Sequence, residues 1–273
     1  MAKEVIAVDL GGTNLRVALV KKGKILKYIK KDTPKTKNEL IKMLVDTISE
    51  MDTKKVRGIG VGCPGPLDAE KGIILNPPNL PFKNFNLQKY LVSRFKKKVV
   101  IENDANCVAL AEAKLGVKKK NFFILTIGTG VGGGIIINGE LYTGKGFAGE
   151  LGHIILDNGR DMESLVAFKR QRELTRKYFG RELLIKDLLK MKDKRAKKIL
   201  DEIFSYLGMG IASLINVFDP EVIVLSGGFK EAGRPCLNIL TQQVKRYSIL
   251  PRNTKIEFTK LDHPGTLGAA LLI

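Results

Sequence analysis

Apolar residues recur along the chain with two periods, and the switches between them lay out its elements. Glu4–Asp9, Asn14–Val20 and Lys24–Ile29 read as three consecutive strands. Leu40, Ile41, Leu44, Val45 and Ile48 then recur at helical spacing and predict a helix over 37–51. Val56–Gly62 is a short apolar strand that stops at Cys63-Pro64-Gly65-Pro66-Leu67-Asp68, a turn-rich segment. The loop Asn76-Pro77-Pro78-Asn79-Leu80-Pro81 is too dense in proline for helix or sheet interior, so it is either a fixed wall or a linker. A helix over 86–95 and a strand over 98–102 complete an order of βββαβαβ. After Glu102, Asn103 or Asp104 can cap a helix running to about Leu115.

The second half repeats the alternation. Strands are predicted over 121–127 and 135–137, around the run Gly128-Thr129-Gly130-Val131-Gly132-Gly133-Gly134. Helices are predicted over 162–178 and 195–218. The longer one is strongly periodic and is stopped by Asp219-Pro220, while Gly208 and Gly210 inside it read as close-packing positions. A buried strand over 221–225 leads to Ser226-Gly227-Gly228-Phe229; a helix over 236–247, a strand over 255–260 and a helix over 265–272 follow.

Chemistry collects at the turns. Asp9-Leu10-Gly11-Gly12-Thr13 is a strand, a tight turn and an acid at the bend. Such a turn can hold phosphate on its backbone N–H groups, and the acid can hold a hydrated magnesium ion. The same spelling also suits an ordinary hairpin. Ile6–Val20 and Phe123–Ile137 share one plan of strand, Gly/Thr turn and strand, which suggests two related α/β halves. Gly128–Gly133 satisfies the GxGxxG spelling of dinucleotide sites, but a strand follows where that motif needs a helix, so a Rossmann site is rejected. No P-loop and no GxSxG elbow is present. Asn103 and Asp104 lie at the end of a strand, where open α/β sheets bind ligands; Asp104 could also be no more than a helix cap. Gly227-Gly228 suits the flat face of a base or ribose, or a plain tight turn.

Composition narrows the class. A chain of 273 residues with 44% hydrophobic residues makes one large domain or two modest ones. No apolar run reaches the length of a membrane span, and Met1-Ala2-Lys3-Glu4 leads into a strand without a signal peptide. Cys63, Cys107 and Cys236 are odd in number and far apart, which suits buried thiols in a reducing cytosol. The net charge of +19 draws anions, but the lysine clusters are dispersed and no Trp is present, so the surface reads as solvated rather than as a nucleic-acid platform. His153, one of two histidines, has no zinc partners at ligand spacing nearby.

Read together, the motifs resemble the ROK family (repressor, open reading frame, kinase), in its glucokinase-like branch within the actin-like superfamily. They occur in family order: Asp9–Arg16, Pro64–Asp68, Pro78–Pro81, Glu102–Asn106, Gly128–Gly132 and Glu150-Leu151-Gly152-His153. The resemblance implies two actin-like (ribonuclease H-like) α/β lobes, 1–106 plus 262–273 and 107–261, with an active-site cleft between them. It implies an ATP- and Mg²⁺-dependent kinase for the 6-hydroxyl of a hexose, with Asp104 as the base. Asn103, Glu150, His153 and Glu163 match sugar-contacting positions, and Gly65 and Asn79 border that pocket. Gly11, Gly12, Thr13, Asn14, Gly128, Thr129 and Gly130 would face the ATP phosphates, and Gly227 and Gly228 the adenosine. Asp9 would hold Mg²⁺ through water.

Glucose is the first choice of sugar; fructose, mannose and N-acetylmannosamine are alternatives. A non-catalytic sugar sensor and an actin-like ATPase are the rivals from other classes. The implied protein is a cytoplasmic homodimer with no nucleic-acid or membrane partner. Many relatives carry a CxCGxxGCxE zinc cluster after the ExGH motif, whereas Ile154–Glu163 has no cysteine and is shorter, so no structural zinc is expected. No helix-turn-helix precedes Glu4, which argues against the repressor branch.

Overall fold

The computed structural model describes residues 4–273; Met1–Lys3, on which the reading of the leader partly rests, lie outside the described residues. The α/β expectation holds, and the chain divides into two compact units. The first takes the chain to Lys118 and adds Glu140–Ala148 and Leu261–Ile273. Its strands β1 (Glu4–Leu10), β2 (Asn14–Lys21) and β3 (Lys24–Asp32) pair antiparallel. Helix α1 (Lys37–Ser49) leads to β4 (Val56–Cys63), which pairs parallel with β1. Three short strands, β5 (Leu67–Asp68), β6 (Ile73–Ile74) and β7 (Phe85–Asn86), form a separate sheet around the proline-rich loop. Then come α2 (Leu87–Phe95), β8 (Lys98–Asn103) parallel to β4, and α3 (Asp104–Lys114). The main sheet has the order β3–β2–β1–β4–β8.

The alternation along β1 explains how both of its faces are covered. Ile6, Val8 and Leu10 join one buried cluster with Leu40, Leu44 and Leu91 from α1 and α2. Ala7, pointing the other way, joins a second cluster with Ala18, Cys107, Ala111 and Ala269. Small residues on that face admit the chain's last helix, α9 (Pro264–Ala270). The backbones of α3 and α9 come so close at Gly268 that a Cβ there would overlap the Cys107 carbonyl. Because α3 packs on α9, it stays whole in the first unit, and the boundary expected after Asn106 falls after Lys118. The segment 140–148, with its two-residue strand β11 (Glu140–Leu141), also belongs to the first unit rather than the second.

The second unit comprises Lys119–Gly139 and Gly149–Lys260. Strands β9 (Phe122–Ile127) and β10 (Val131–Ile137) form an antiparallel hairpin. A small ribbon, β12 (Ile155–Asp157) and β13 (Arg160–Asp161), leads to α4 (Met162–Val166), α5 (Phe168–Phe179), α6 (Ile185–Leu188) and α7 (Lys194–Phe218). Then follow β14 (Val222–Gly227), parallel to β9, α8 (Gly233–Tyr247) and β15 (Lys255–Phe258), parallel to β14. The order β10–β9–β14–β15 matches β2–β1–β4–β8 strand for strand and direction for direction, so the two halves share a topology as well as a sequence plan.

Three boundaries differ from the sequence expectation. Strand β10 starts at Val131, so Gly132–Gly134 lie within it; at Gly133 the missing side chain makes room for the Gly149 carbonyl and Leu151. The helix expected over 162–178 breaks at Ala167, whose ψ of 164° is extended. Strand β14 continues through Ser226 and Gly227. Helix α7 has the length and mean hydropathy of a membrane span, but Ile203, Phe204, Leu207, Ile211 and Ile215 bury one side of it in the core of the second unit. Gly208 and Gly210 seat Gln243 and Met162 against it, as their packing role required.

Gly268→Ala is expected to lower stability by about 1–3 kcal/mol, because its methyl meets backbone rather than a movable side chain. Gly128→Ala, with nothing within 4 Å of the new Cβ, should stay near wild type. Thermal unfolding of both variants checks the contrast.

Candidate active site

In the first unit the site starts at the carboxyl end of β1. Register places Asp9 opposite Arg16, and Asp9 Oδ2 accepts a hydrogen bond from Arg16 Nη1 at 2.9 Å. Burial pushes the Asp9 carboxyl above its ordinary value, although Arg16 and, more weakly, His263 pull it back. A Cβ on Gly265, in the first turn of α9, would lie 3.3 Å from Asp9 Oδ2, so the amino end of α9 adjoins the carboxylate. His263 enters α9 with φ 54° and lays its ring on Tyr28, with centroids 4.3 Å apart.

The following turn is braced from outside. Gly11 N–H donates to the Asn14 carbonyl at 3.0 Å. Thr33, just past β3, donates its hydroxyl to the Gly11 carbonyl at 2.6 Å and its N–H to the Thr13 carbonyl at 2.9 Å. A Cβ on Gly12 would lie 2.5 Å from Asn79 Cβ, so the turn and the proline-rich loop meet. That loop is therefore a wall, seated by buried Pro77, Leu80 and Phe82. Gly65 lies in the turn between β4 and β5.

The cap of α3 is Asn103. Its side chain accepts from the N–H groups of Ala105 at 2.8 Å and Asn106 at 3.2 Å. Asp104, the first residue of the helix, is half-buried, with Oδ1 2.9 Å from Ala105 N. Glu102 Oε1 braces both neighbours, accepting from Asn103 N at 2.7 Å and Asn106 Nδ2 at 3.0 Å. Burial pushes the thiols of Cys63 and Cys107 up, with Asp104 and Glu102 adding to it, so both stay protonated.

In the second unit the Gly128–Gly130 turn is held by three contacts. Gly128 N–H donates to the Gly130 carbonyl and Phe168 N–H to the Gly128 carbonyl, both at 2.9 Å. Val131 N–H donates to Glu163 Oε2 at 2.7 Å, and a Cβ on Gly130 would overlap that oxygen. The break at Ala167 thus turns the Phe168 amide onto the glycine turn. Glu163, a sugar position by resemblance, has one oxygen committed to the same turn.

Glu150 precedes a 3-10 turn over Leu151–His153 and His153 ends it, and both are exposed. His153 Nδ1 lies 2.7 Å from Asp161 Oδ2. Asp161 also caps α4, its Oδ1 accepting from Ser164 N–H at 2.8 Å. The hydrogen bond to Asp161 raises the His153 pKa above its ordinary 6.5. Burial raises Asp161, but His153 and the Ser164 amide outweigh it and hold the carboxyl below 3.8.

Gly227 ends β14 and Gly228 follows it, and a Cβ on Gly228 would overlap the Phe168 ring. Beside them a cavity of about 70 Å³ is lined by Phe168, Gln171, Lys186, Gly228, Phe229 and Glu231, with Lys186 and Glu231 paired at 2.6 Å. Among the described residues, no group of three or more His, Cys, Asp or Glu side chains is arranged to hold a metal ion.

Sequence reasoning missed Thr33, Phe168 and Asp161, and it placed Arg16 in the first motif without giving it a role. A lone Thr or Phe carries no signal of its own. Asp161 did carry one: an acid three residues before Ser164, at the start of an apolar run, is a helix-cap pattern.

The ROK family profile matches residues 5–273. The chain is 33% identical to a glucokinase of Thermotoga maritima, over 99% of this chain and 97% of that one. It is 28% identical to a xylose repressor of Caldicellulosiruptor bescii, over 98% of this chain and 77% of the repressor. A ROK family glucokinase of Streptomyces griseus, solved in complex with glucose and AMPPNP, superposes with a TM-score of 0.87 at 26% identity, covering 98% of each chain. The fold is therefore the actin-like one of two α/β lobes.

The His153–Asp161 pair has a defined pH window. Protonated His153 stabilises the fold fully below its unfolded value near 6.5, and that contribution is lost as pH rises through the raised folded value. The contribution of Asp161 is present above 3.8 and is lost as pH falls through its lowered folded value. The Tm difference between wild type and His153→Gln should be largest between pH 3.8 and 6.5 and should shrink as pH rises through the raised folded value of His153. It should be modest, since the His153 side chain is 55% exposed.

Proposed function

The chain belongs to the ROK family, and we propose that it is a sugar kinase that transfers the γ-phosphoryl group of ATP to the 6-hydroxyl of a hexose, with glucose ahead of fructose, mannose or N-acetylmannosamine. The observation that carries the reading is the division of labour at α3. Asn103 makes the helix cap, and Asp104 sets a half-buried carboxylate beside it, in the same unit as the Gly11–Thr13 turn and the Asn79 wall that abuts it. Phosphoryl transfer asks for positioning and charge neutralisation more than covalent chemistry. Asp104 accepts the proton of the attacking hydroxyl. Asn103, with Gly65 and Asn79, in the first unit and Glu150, His153 and Glu163 in the second are the polar groups offered to a polyhydroxylated sugar.

The turns at 11–14 in the first unit and 128–130 in the second each offer backbone N–H groups to phosphate. Gly227 and Gly228 face the adenosine, with bare backbone and the Phe168 ring beside Gly228 as apolar walls. Asp9 fits Mg²⁺ bound through water: one half-buried carboxylate, steadied by Arg16, is the kind of ligand Mg²⁺ takes alongside substrate phosphates. The ion would neutralise phosphate charge. We assign no structural zinc, because Ile154–Glu163 supplies no cysteine to join His153 around a metal ion.

A panel of hexoses with ATP and Mg²⁺, read by ADP release, tests the reading; ADP from none of them would sink it. Asp104→Asn should fold and bind the sugar while kcat falls about 10²–10⁴-fold. A zinc-selective chelator should leave turnover unchanged, and a sharp loss would overturn the zinc-free assignment.

A further inference from the structure

Asp161 makes two contacts with its two oxygens. Oδ1 accepts from the Ser164 N–H at 2.8 Å and so anchors α4. Oδ2 lies 2.7 Å from His153 Nδ1. A carboxylate is acceptor-only when ionised, and Asp161 is held in that form by its two partners. The proton of the shared bond therefore sits on His153 Nδ1. In a neutral imidazole that leaves Nε2 as an acceptor. His153 is more than half exposed, so this acceptor is open to a ligand.

The same helix carries Glu163, whose Oε2 holds the Val131 amide. A single carboxylate therefore sets the hydrogen-bonding character of His153 and also anchors the helix that braces the glycine turn. We propose that Asp161 is a positioning residue for sugar recognition: it fixes His153 in the Nδ1–H form, so that Nε2 accepts a hydrogen bond from one hydroxyl of the hexose. The proposal deepens the kinase reading and rests on it. It adds a residue outside the resemblance and a direction to the hydrogen bond.

Asp161→Asn separates this role from helix anchoring. Asn caps a helix as well as Asp does, and its carbonyl can keep the Ser164 contact. Its amide then replaces Oδ2 with a donor, so Nδ1 of His153 becomes the acceptor and the proton moves to Nε2. In a Ser-His-Asp triad the same Asp-to-Asn change keeps the geometry and gives the wrong tautomer.

The test is ¹⁵N NMR of the imidazoles above the titration of His153. With two histidines in the chain, His263→Gln assigns the signals. The wild-type protein should show the Nδ1–H form and Asp161→Asn the Nε2–H form. In the same variant the hexose KM should rise about tenfold or more, with the ATP KM within about twofold of wild type. In a series of deoxy-sugars, the analogue lacking the partner hydroxyl should lose its sensitivity to the substitution. A wild-type Nε2–H form overturns the proposal without any variant. So does an inverted tautomer with the hexose KM unchanged. If wild-type protein phosphorylates no hexose, it is the kinase reading that fails, and the spectra still decide whether Asp161 sets the tautomer.

Discussion

Glycine loses more conformational freedom on ordering than any other residue, so a glycine turn must be held in place by groups from elsewhere. Both turns of this protein obey that constraint, each in its own way. The first is tied down by one buried threonine that reaches two carbonyls, and its second glycine is backed by the Asn79 wall. The second turn is tied by a carboxylate and by the amide that a broken helix turns toward it. Each turn closes one hydrogen bond of its own and takes the rest of its support from elsewhere. Each is a bare stretch of backbone whose shape is dictated by residues about twenty to seventy positions away in the chain.

This explains which parts of the site could be read in the sequence. Periodicity found the strands and long helices because their apolar faces are buried over many residues, as in β1 and α7. The spellings Asp9–Thr13, Glu102–Asn106 and Gly128–Gly132 located the chemistry because turn geometry demands particular residue types. The supports left almost no trace. Nothing in the sequence distinguishes Thr33 from any other surface threonine. The run Met162–Tyr178 is periodic enough for one helix, and only the Gly128 carbonyl in the folded unit makes a break at Ala167 worthwhile. The division after Lys118 is illegible in the sequence for a similar reason. Residues after Asn106 continue a helix, and the contact that assigns that helix to the first unit comes from residues 264–270.

The assignment of Glu163 is the most informative meeting of the two readings. By resemblance it is a sugar contact, and in the fold one of its oxygens braces the turn expected to hold phosphate. A carboxylate has lone pairs for both tasks. Shared duty of this kind would make the shape of the turn responsive to whatever the second oxygen binds. It also sets the glutamate apart from Glu150, which is exposed and makes no side-chain cap bond.

Helix α9 gives the molecule an order of assembly. The sheet of the first unit is complete by residue 103, but the face that carries Ala7 and Ala18 stays open until residues 264–270 arrive. A ribosome releases the chain from its amino end, so every strand of the second unit emerges before that face can close. The half that starts first therefore finishes last, and in the interval Ala7, Ala18 and Cys107 face water or a chaperone. The carboxylate of Asp9 likewise gains its neighbour Gly265 only in the final step. Nascent protein would thus hold every strand of the second unit before the first unit could be finished.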